Sequence, residues 1–542
     1  MASAIATSQV SAPGFYGLNT QESPLDLQAG YALVANNCII DQYGRIGSRK
    51  GWAIVNASFD LLLEDGDFVL LEDSGSSTSV LATEAGVDAL SANSIDAIHE
   101  LVQADGTLTI LAAGNNLLFK LDGSNILVTL TYGGGGVAPT ITANNWMCAS
   151  LNGITYFFQT GHDPLIYDPA VSTTTFRRVS EKTGYAGTVQ PANIAISAYG
   201  RLWTANTATN KNTIFFSDLL AGHIWTGGTA GSLNVDRVWP NGPDEITGLA
   251  AHNGFLFIFG KRQILVYANA TTPASIALSD TVGGIGCVAR DSVQVTSSDV
   301  IFLSNSGVRS MMRTIQEKSA PERDLSKNIR NDLQVVIDGE NLATIKSVYS
   351  EKEAFYLLTA PVAKQVFCFD AKAMLPTGSA RATTWDSLEP TALLSRRNGD
   401  LLLGKIGYLA RYSGYQDNGS AYRMQYYTNH ADLGAINQTS ILKRITAVVV
   451  GGSNQVFTFK WGFDFESNYI SQNVAIPTQG ISEYGLGEYG IAQYSLGVVL
   501  QNLNVAASGA GKIVQTGYET QVSGSPISIQ KIEVQYKDGN VT

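Results

Sequence analysis

Between Gly51 and Phe119 the chain contains neither lysine nor arginine, although its 542 residues include 35 of them. That span holds eleven carboxylates, among them Asp60, Glu64, Asp65, Asp67, Glu72 and Asp73, and so equals the whole formal charge of −11. A sequence-specific nucleic-acid binder neutralises phosphates with clustered Lys and Arg, which is not the pattern here. Two readings of the acidic span stay open: a solvated face, or a wall turned toward a polyanion or a cation. Cysteine is scarce too. Cys38, Cys148, Cys287 and Cys368 lie far apart without a Cys-x-x-Cys, which indicates neither a zinc site nor a disulfide framework. Their apolar neighbours point to buried free thiols. The five histidines show no metal-ligand spacing, and there is no Gly-x-Ser-x-Gly elbow. The Asp boxes of sialidase-type propellers are missing as well. No catalytic, metal-binding or cofactor-binding residue is therefore assigned, and the expectation is a protein that is not an enzyme. No run approaches the ~20 apolar residues of a membrane helix. Met1–Ser11 lacks the basic start and apolar core of a secretory signal. The expectation is a soluble chain made in the cytoplasm.

What is abundant is glycine (54) with tyrosine and phenylalanine (23 and 20), at only 15% charged residues. Those proportions favour strands and tight turns. The stretch Asn253–Tyr267 reads as a hairpin: Asn-Gly opens five apolar residues, Phe255–Phe259, suited to a strand buried on both faces. The same pattern recurs with openers at 106, 153, 200, 254, 299, 353 and 399, separated by 47, 47, 54, 45, 54 and 46 residues. Paired strands at such a period are the mark of β-propeller blades. About seven blades are expected, with six or eight allowed and an eighth hairpin near 59–82. The alternative is a run of unrelated hairpins in β-sandwiches. At this length two or three domains are expected.

Other features follow the chain. Asp60–Asp73 reads as a hairpin around Asp65-Gly66. Residues 87–102 place Leu90, Ile95, Ile98, Leu101 and Val102 on one side of a possible helix. The glycine runs at 133–136 and 283–286 lack the context of a phosphate cradle and read as turns. A helix is expected from Pro321-Glu322-Arg323-Asp324 through Leu325, Ile329, Leu333 and Val336 to a stop at Gly339. After about Tyr415 the repeat ends, and strands are expected at 422–427, 445–450, 455–461 and 527–536. Tyr484, Tyr489 and Tyr494 recur every five residues in a Gly-rich loop, 481–497, a composition suited to adaptable contact. Residues 12–52 form an extended arm with one strand (37–41) and a basic turn at Arg45, Arg49 and Lys50. With so little core of its own, the arm must order on other chain.

That arm carries Gly-Leu-Asn, Ser-Pro-Leu-Asp, Gly-Tyr-Ala, Asn-Asn-Cys-Ile-Ile-Asp, Gly-Arg-Ile and Arg-Lys-Gly-Trp. Over about forty residues it resembles the opening of tail nozzle, or tail-hub, proteins of short-tailed bacteriophages, the tail tubular protein B type. The resemblance brings no catalytic residues. It implies a virion structural protein assembled in the host cytoplasm. Six copies would form a homohexameric ring below a dodecameric adaptor, near tail fibres or spikes. Double-stranded DNA would be retained and ejected through the channel without sequence-specific binding. The whole is then an all-β chain: a β-propeller plus a β-rich platform built from both termini. Its segments are 1–55 (arm and platform strand), 56–103 (acidic hairpin and connection), 104–414 (propeller) and 415–542 (C-terminal platform). Asp60, Glu64, Asp65, Asp67, Glu72 and Asp73 become candidates for the lumen wall. Tyr43, Arg45, Arg49, Lys50, Trp52, Tyr484, Tyr489 and Tyr494 become candidates for assembly contacts. Alternatives are a receptor- or glycan-binding propeller of a fibre or adhesin, and a propeller glycosidase, whose carboxylate pair sequence alone does not reveal.

Overall fold

The computed structural model describes residues 5–56, 90, 92–103, 105–141, 145–317, 324–433, 439–477 and 500–539. Seven strands form the innermost layer of a disc: Ile95–Val102, Met147–Leu151, Ala192–Ala198, Ile246–His252, Gln294–Val295, Ser347–Ser350 and Ala392–Ser395. Each touches the next and the last touches the first, which closes a β-propeller. We number the blades 1 to 7 in that order. Six are sheets of their own. Blade 6, spanning Ser347–Ser350 to Ala380–Trp385, is instead the first four strands of an eleven-stranded sheet.

Each of the seven openers falls in the turn between the first and second strands of one blade. The turns explain why. Asn152-Gly153 and Asn253-Gly254 hold positive φ at both residues, the mirror-image turn that suits the twist of a two-residue hairpin. The strand that follows, Phe255–Gly260, packs both ways: Leu256 and Ile258 toward blade 3, Phe257 and Phe259 toward blade 5.

Several expectations need correction. Residues 95–102 are a strand, the first of blade 1, and not part of a helix. Ile95 and Ile98 face blade 7 while Leu101 faces blade 2, because a bulge between Ile95 and Ala97 breaks the alternation. The propeller therefore begins at Ile95 rather than 104. Trp52–Ile54, expected in the platform arm, pairs with Leu409–Tyr412 and becomes the outer strand of blade 7. An N-terminal strand thus closes the ring begun some 40 residues later in the chain. The expected helix is shorter, Arg330–Asp338. Asp324 and Leu325 are held outside it: the Leu325 N–H donates to Val308 O, its carbonyl accepts from Ala380 N–H, and Asp324 bonds Arg330 Nε at 2.9 Å. A second helix, Met311–Glu317, follows the three strands of blade 5. The hairpin at 60–73, the possible eighth blade and the loop at 481–497 lie outside the described residues.

Both chain ends build the platform. Ile5–Ser11 runs antiparallel to Ile527–Lys537, which also pairs with Ile46–Ser48 and Ser440–Gly451. In the other sheet Tyr31–Asn36 bridges blade 6 to Tyr422–Thr428, and Ile513–Val522, Val456–Phe463 and Ile470–Ala475 follow. One core joins the two sheets, mixing Phe15, Ala35 and Ile46 with Tyr426, Trp461 and Ile529, and Leu333 and Ile337 of the Arg330–Asp338 helix plug into it.

Candidate functional site

The basic turn of the arm lies where propeller and platform meet. Arg49 is 0% exposed. Its guanidinium reaches both oxygens of Asp417, at 2.9 and 2.7 Å, and donates to Asn37 Oδ1 (3.0 Å), Ser387 Oγ (2.6 Å) and Lys50 O (2.7 Å). Its plane rests 4.0 Å from the centre of the Tyr422 ring. Burial alone would lower its pKa, but the Asp417 carboxylate outweighs that and raises it. One side chain thus ties the arm, blade 6 and the exit from blade 7. Close by, Gly51 is required by space, since a Cβ there would lie 1.9 Å from Gln416 O.

Trp52 is likewise spent inside the chain. It packs in the core of blades 6 and 7, stacks on Tyr408 at 5.7 Å, and carries the Lys405 ammonium 4.0 Å above its ring. Burial lowers the pKa of Lys405 to about 8, and its Nζ donates to Leu388 O at 2.6 Å. Lys50 pairs with Glu353 in the first turn of blade 6. Arg49 and Trp52 are therefore internal joints, and the expectation that they meet another subunit is corrected: a bidentate, fully buried guanidinium has no donor left to offer. Tyr43 and Arg45 differ. Tyr43 is 61% exposed, Arg45 stacks 4.4 Å from its ring, and Asp41 Oδ2 accepts from Arg45 Nε at 2.6 Å. The pair forms one lip of a groove of about 520 Å³, whose far side is Val450, Gly451 and Pro526. Asp60, Glu64, Asp65, Asp67, Glu72 and Asp73, like Tyr484, Tyr489 and Tyr494, lie outside the described residues.

A polar cluster absent from the sequence reading closes one end of the propeller axis. Arg290, just before the first strand of blade 5, donates to Asn193 Oδ1 at 2.8 Å and Asn145 Oδ1 at 2.7 Å, on blades 3 and 2. Asp291 pairs with Arg290 at 2.6 Å and with Lys346 of blade 6. Burial would raise the Asp291 carboxyl, but the two cations outweigh it and hold it at about 2. The partners are 97 and 145 positions from Arg290, and no local motif marks them. Among the described residues no group of three or more His, Cys, Asp or Glu is placed to hold a metal ion. Among them, too, no helix is long and apolar enough to cross a membrane.

The sequence matches no protein-family model and no curated protein. Solved structures match the chain at low identity, a propeller domain among them. The WD40 β-propeller domain of Doa1 is 10% identical, with 59% of this chain and 92% of that one covered and a TM-score of 0.34. YCF48 from Cyanidioschyzon merolae is 10% identical, with 59% and 96% covered and a TM-score of 0.35. An auxiliary nutrient-binding protein from Bacteroides thetaiotaomicron is 10% identical, with 58% and 68% covered and a TM-score of 0.32. At such scores the likeness carries no functional argument, and the propeller rests on its own strand pairing.

Proposed function

We propose that this chain is a structural subunit of a short-tailed phage tail, a nozzle protein of which six copies ring a channel for double-stranded DNA. One observation supports the reading above others: strands from both ends of the chain share one core beside the propeller, the organisation that the resemblance of the arm implies. Head-to-tail contacts around an axis close such a ring. In this reading the Tyr43–Arg45 lip meets a neighbouring subunit, the platform surrounds the channel, and the dodecameric adaptor and the fibres dock on the ring. DNA passes without sequence-specific contact, and no chemistry is assigned to the chain. A conduit for a sliding polyanion needs a neutral or acidic wall, since a basic one would hold phosphate. Only carboxylates within about 8–10 Å of the DNA would act at physiological salt. The acidic span from Asp60 to Asp73 is proposed to supply them.

Electron microscopy of the purified protein, alone and mixed with its adaptor, tests the reading. Six-fold rings are expected, and Tyr43→Ala/Arg45→Ala should weaken them without unfolding the chain. A monomer or trimer that binds cells unaided would overturn the nozzle in favour of an adhesin. Turnover on a polysaccharide panel would overturn it in favour of a glycosidase.

A further inference from the structure

We propose that the open mouth of the propeller axis, at the end opposite the Arg290 cluster, binds a carboxylate-bearing saccharide. The inference does not rest on the nozzle reading. Blades 5, 6, 7 and 1 leave a cavity there of about 630 Å³, within the roughly 300–1,000 Å³ usual for small-ligand sites. Its cause is local. Blade 5 supplies an innermost strand of only two residues, Gln294–Val295, and Val295 stays 47% exposed although it stands in the innermost layer of the disc.

The wall is polar and organised. Glu100 Oε1 accepts from Arg396 Nε at 2.8 Å, and its Oε2 accepts from the Arg397 N–H at 2.7 Å. One carboxylate therefore fixes the backbone and one guanidinium of the blade 7 turn. The Arg397 guanidinium itself is exposed and makes no ion pair among the described residues. At the lip Lys352 stands 3.9 Å from Asp400, too far for a tight pair. Glu351, also exposed, is the one other acid in the wall. An incoming carboxylate would meet Arg397 directly and would compete only with the long 3.9 Å contact of Asp400 for Lys352.

The remaining groups suit hydroxyls and a ring face. Gln294 Nε2 donates to Ser347 O at 3.1 Å, which leaves its amide oxygen to accept. Tyr349 offers a half-buried ring, and Val295 with Leu393 makes an apolar floor. His99 is held by Ser150 Oγ at 2.6 Å, and burial drops its pKa to about 4, so it adds no charge near neutrality. A carboxylate on a polyhydroxylated ring uses all three features together: one unpaired and one loosely paired cation, a planar amide acceptor and an apolar floor.

Calorimetric titration with a hyaluronan tetrasaccharide, which carries glucuronate, and with uncharged chitotetraose tests this. The wild-type protein should prefer the charged sugar by about tenfold or more, the worth of one charged hydrogen bond. Arg397→Gln/Lys352→Gln, both on exposed turns, should erase that preference. Val295→Trp should abolish binding of both sugars by filling the floor. Arg262→Gln, which removes one charge from an exposed turn of blade 4 away from the cavity, should change nothing. Absence of heat with either sugar at millimolar concentration would overturn the proposal. So would equal loss in Arg262→Gln, or equal competition by inorganic phosphate, which would mark a general anion site.

Discussion

Arg49→Met should loosen the joint between propeller and platform more than any surface change. The substitution keeps the length and apolar stem of the side chain but removes its charge. It strands Asp417, whose carboxylate is 11% exposed and loses both bidentate contacts, and it leaves Ser387 Oγ without its donor and Asn37 Oδ1 with only the Asp386 N–H at 3.3 Å. Breaking one side of a buried pair costs roughly 3–5 kcal/mol. At about 1.4 kcal/mol per decade, local opening should rise by at least about a hundredfold. Native-state hydrogen exchange reads this at two amides of the arm: Gly51 N–H, bonded to Gly414 O, and Trp52 N–H, bonded to Gln416 O. Asp417→Asn in the same background should recover part of the loss, because removing both charges leaves neither unpaired. The double variant should cost less than the two singles together by about 1–3 kcal/mol. A loss below about 1 kcal/mol for Arg49→Met, or strict additivity with Asp417→Asn, would refute the argument that this pair holds the joint.

Three further outcomes are expected. The Asp291 carboxyl titrates at about 2, below its value of ~3.9 in an unfolded chain, so its contribution is complete above about pH 4 and lost as pH falls toward 2. Asp291→Asn should therefore cost on the order of 2 kcal/mol at pH 6 and little at pH 2, read as the gap between acid-dependent unfolding midpoints. Trp52→Ala should cost roughly 3–5 kcal/mol and expose the amides of Ala410–Tyr412, since its strand is the seam that closes the ring. Burial raises the thiol pKa of Cys38, Cys287 and Cys368, the second to about 12, so a thiol reagent at pH 8 should label them only as the protein unfolds.

The repeat was legible because blade hairpins are local objects. Asn152-Gly153, Asn253-Gly254 and the apolar runs beside them specify turn and strand within a dozen residues, and each opener landed in the right turn. The Leu325–Ile337 stretch was legible as apolar spacing but not as helix length, because Asp324 and Leu325 are claimed by Arg330, Val308 and Ala380. The 95–102 strand imitated a helix because a bulge put Ile95 and Ile98 on one face and burial on the opposite face added Leu101 three residues on. At the candidate site, the basic turn pointed to the right place in the chain with the wrong role for two residues. Arg49 and Trp52 look like surface contacts until Asp417 and Tyr408, more than 350 positions away, fold over them.

By itself, then, the sequence determined the strand-pair period, the all-β class and the extended character of the arm, since turn chemistry and apolar alternation act between neighbours. Tertiary structure alone decided that Trp52–Ile54 closes the ring, that blade 6 continues into the platform, and that Arg290 seals one end of the axis while the other stays open. Those choices depend on backbone edges and charges that meet only after hundreds of intervening residues have folded, and hydrogen-bond partners at that separation leave no periodic trace in a single chain.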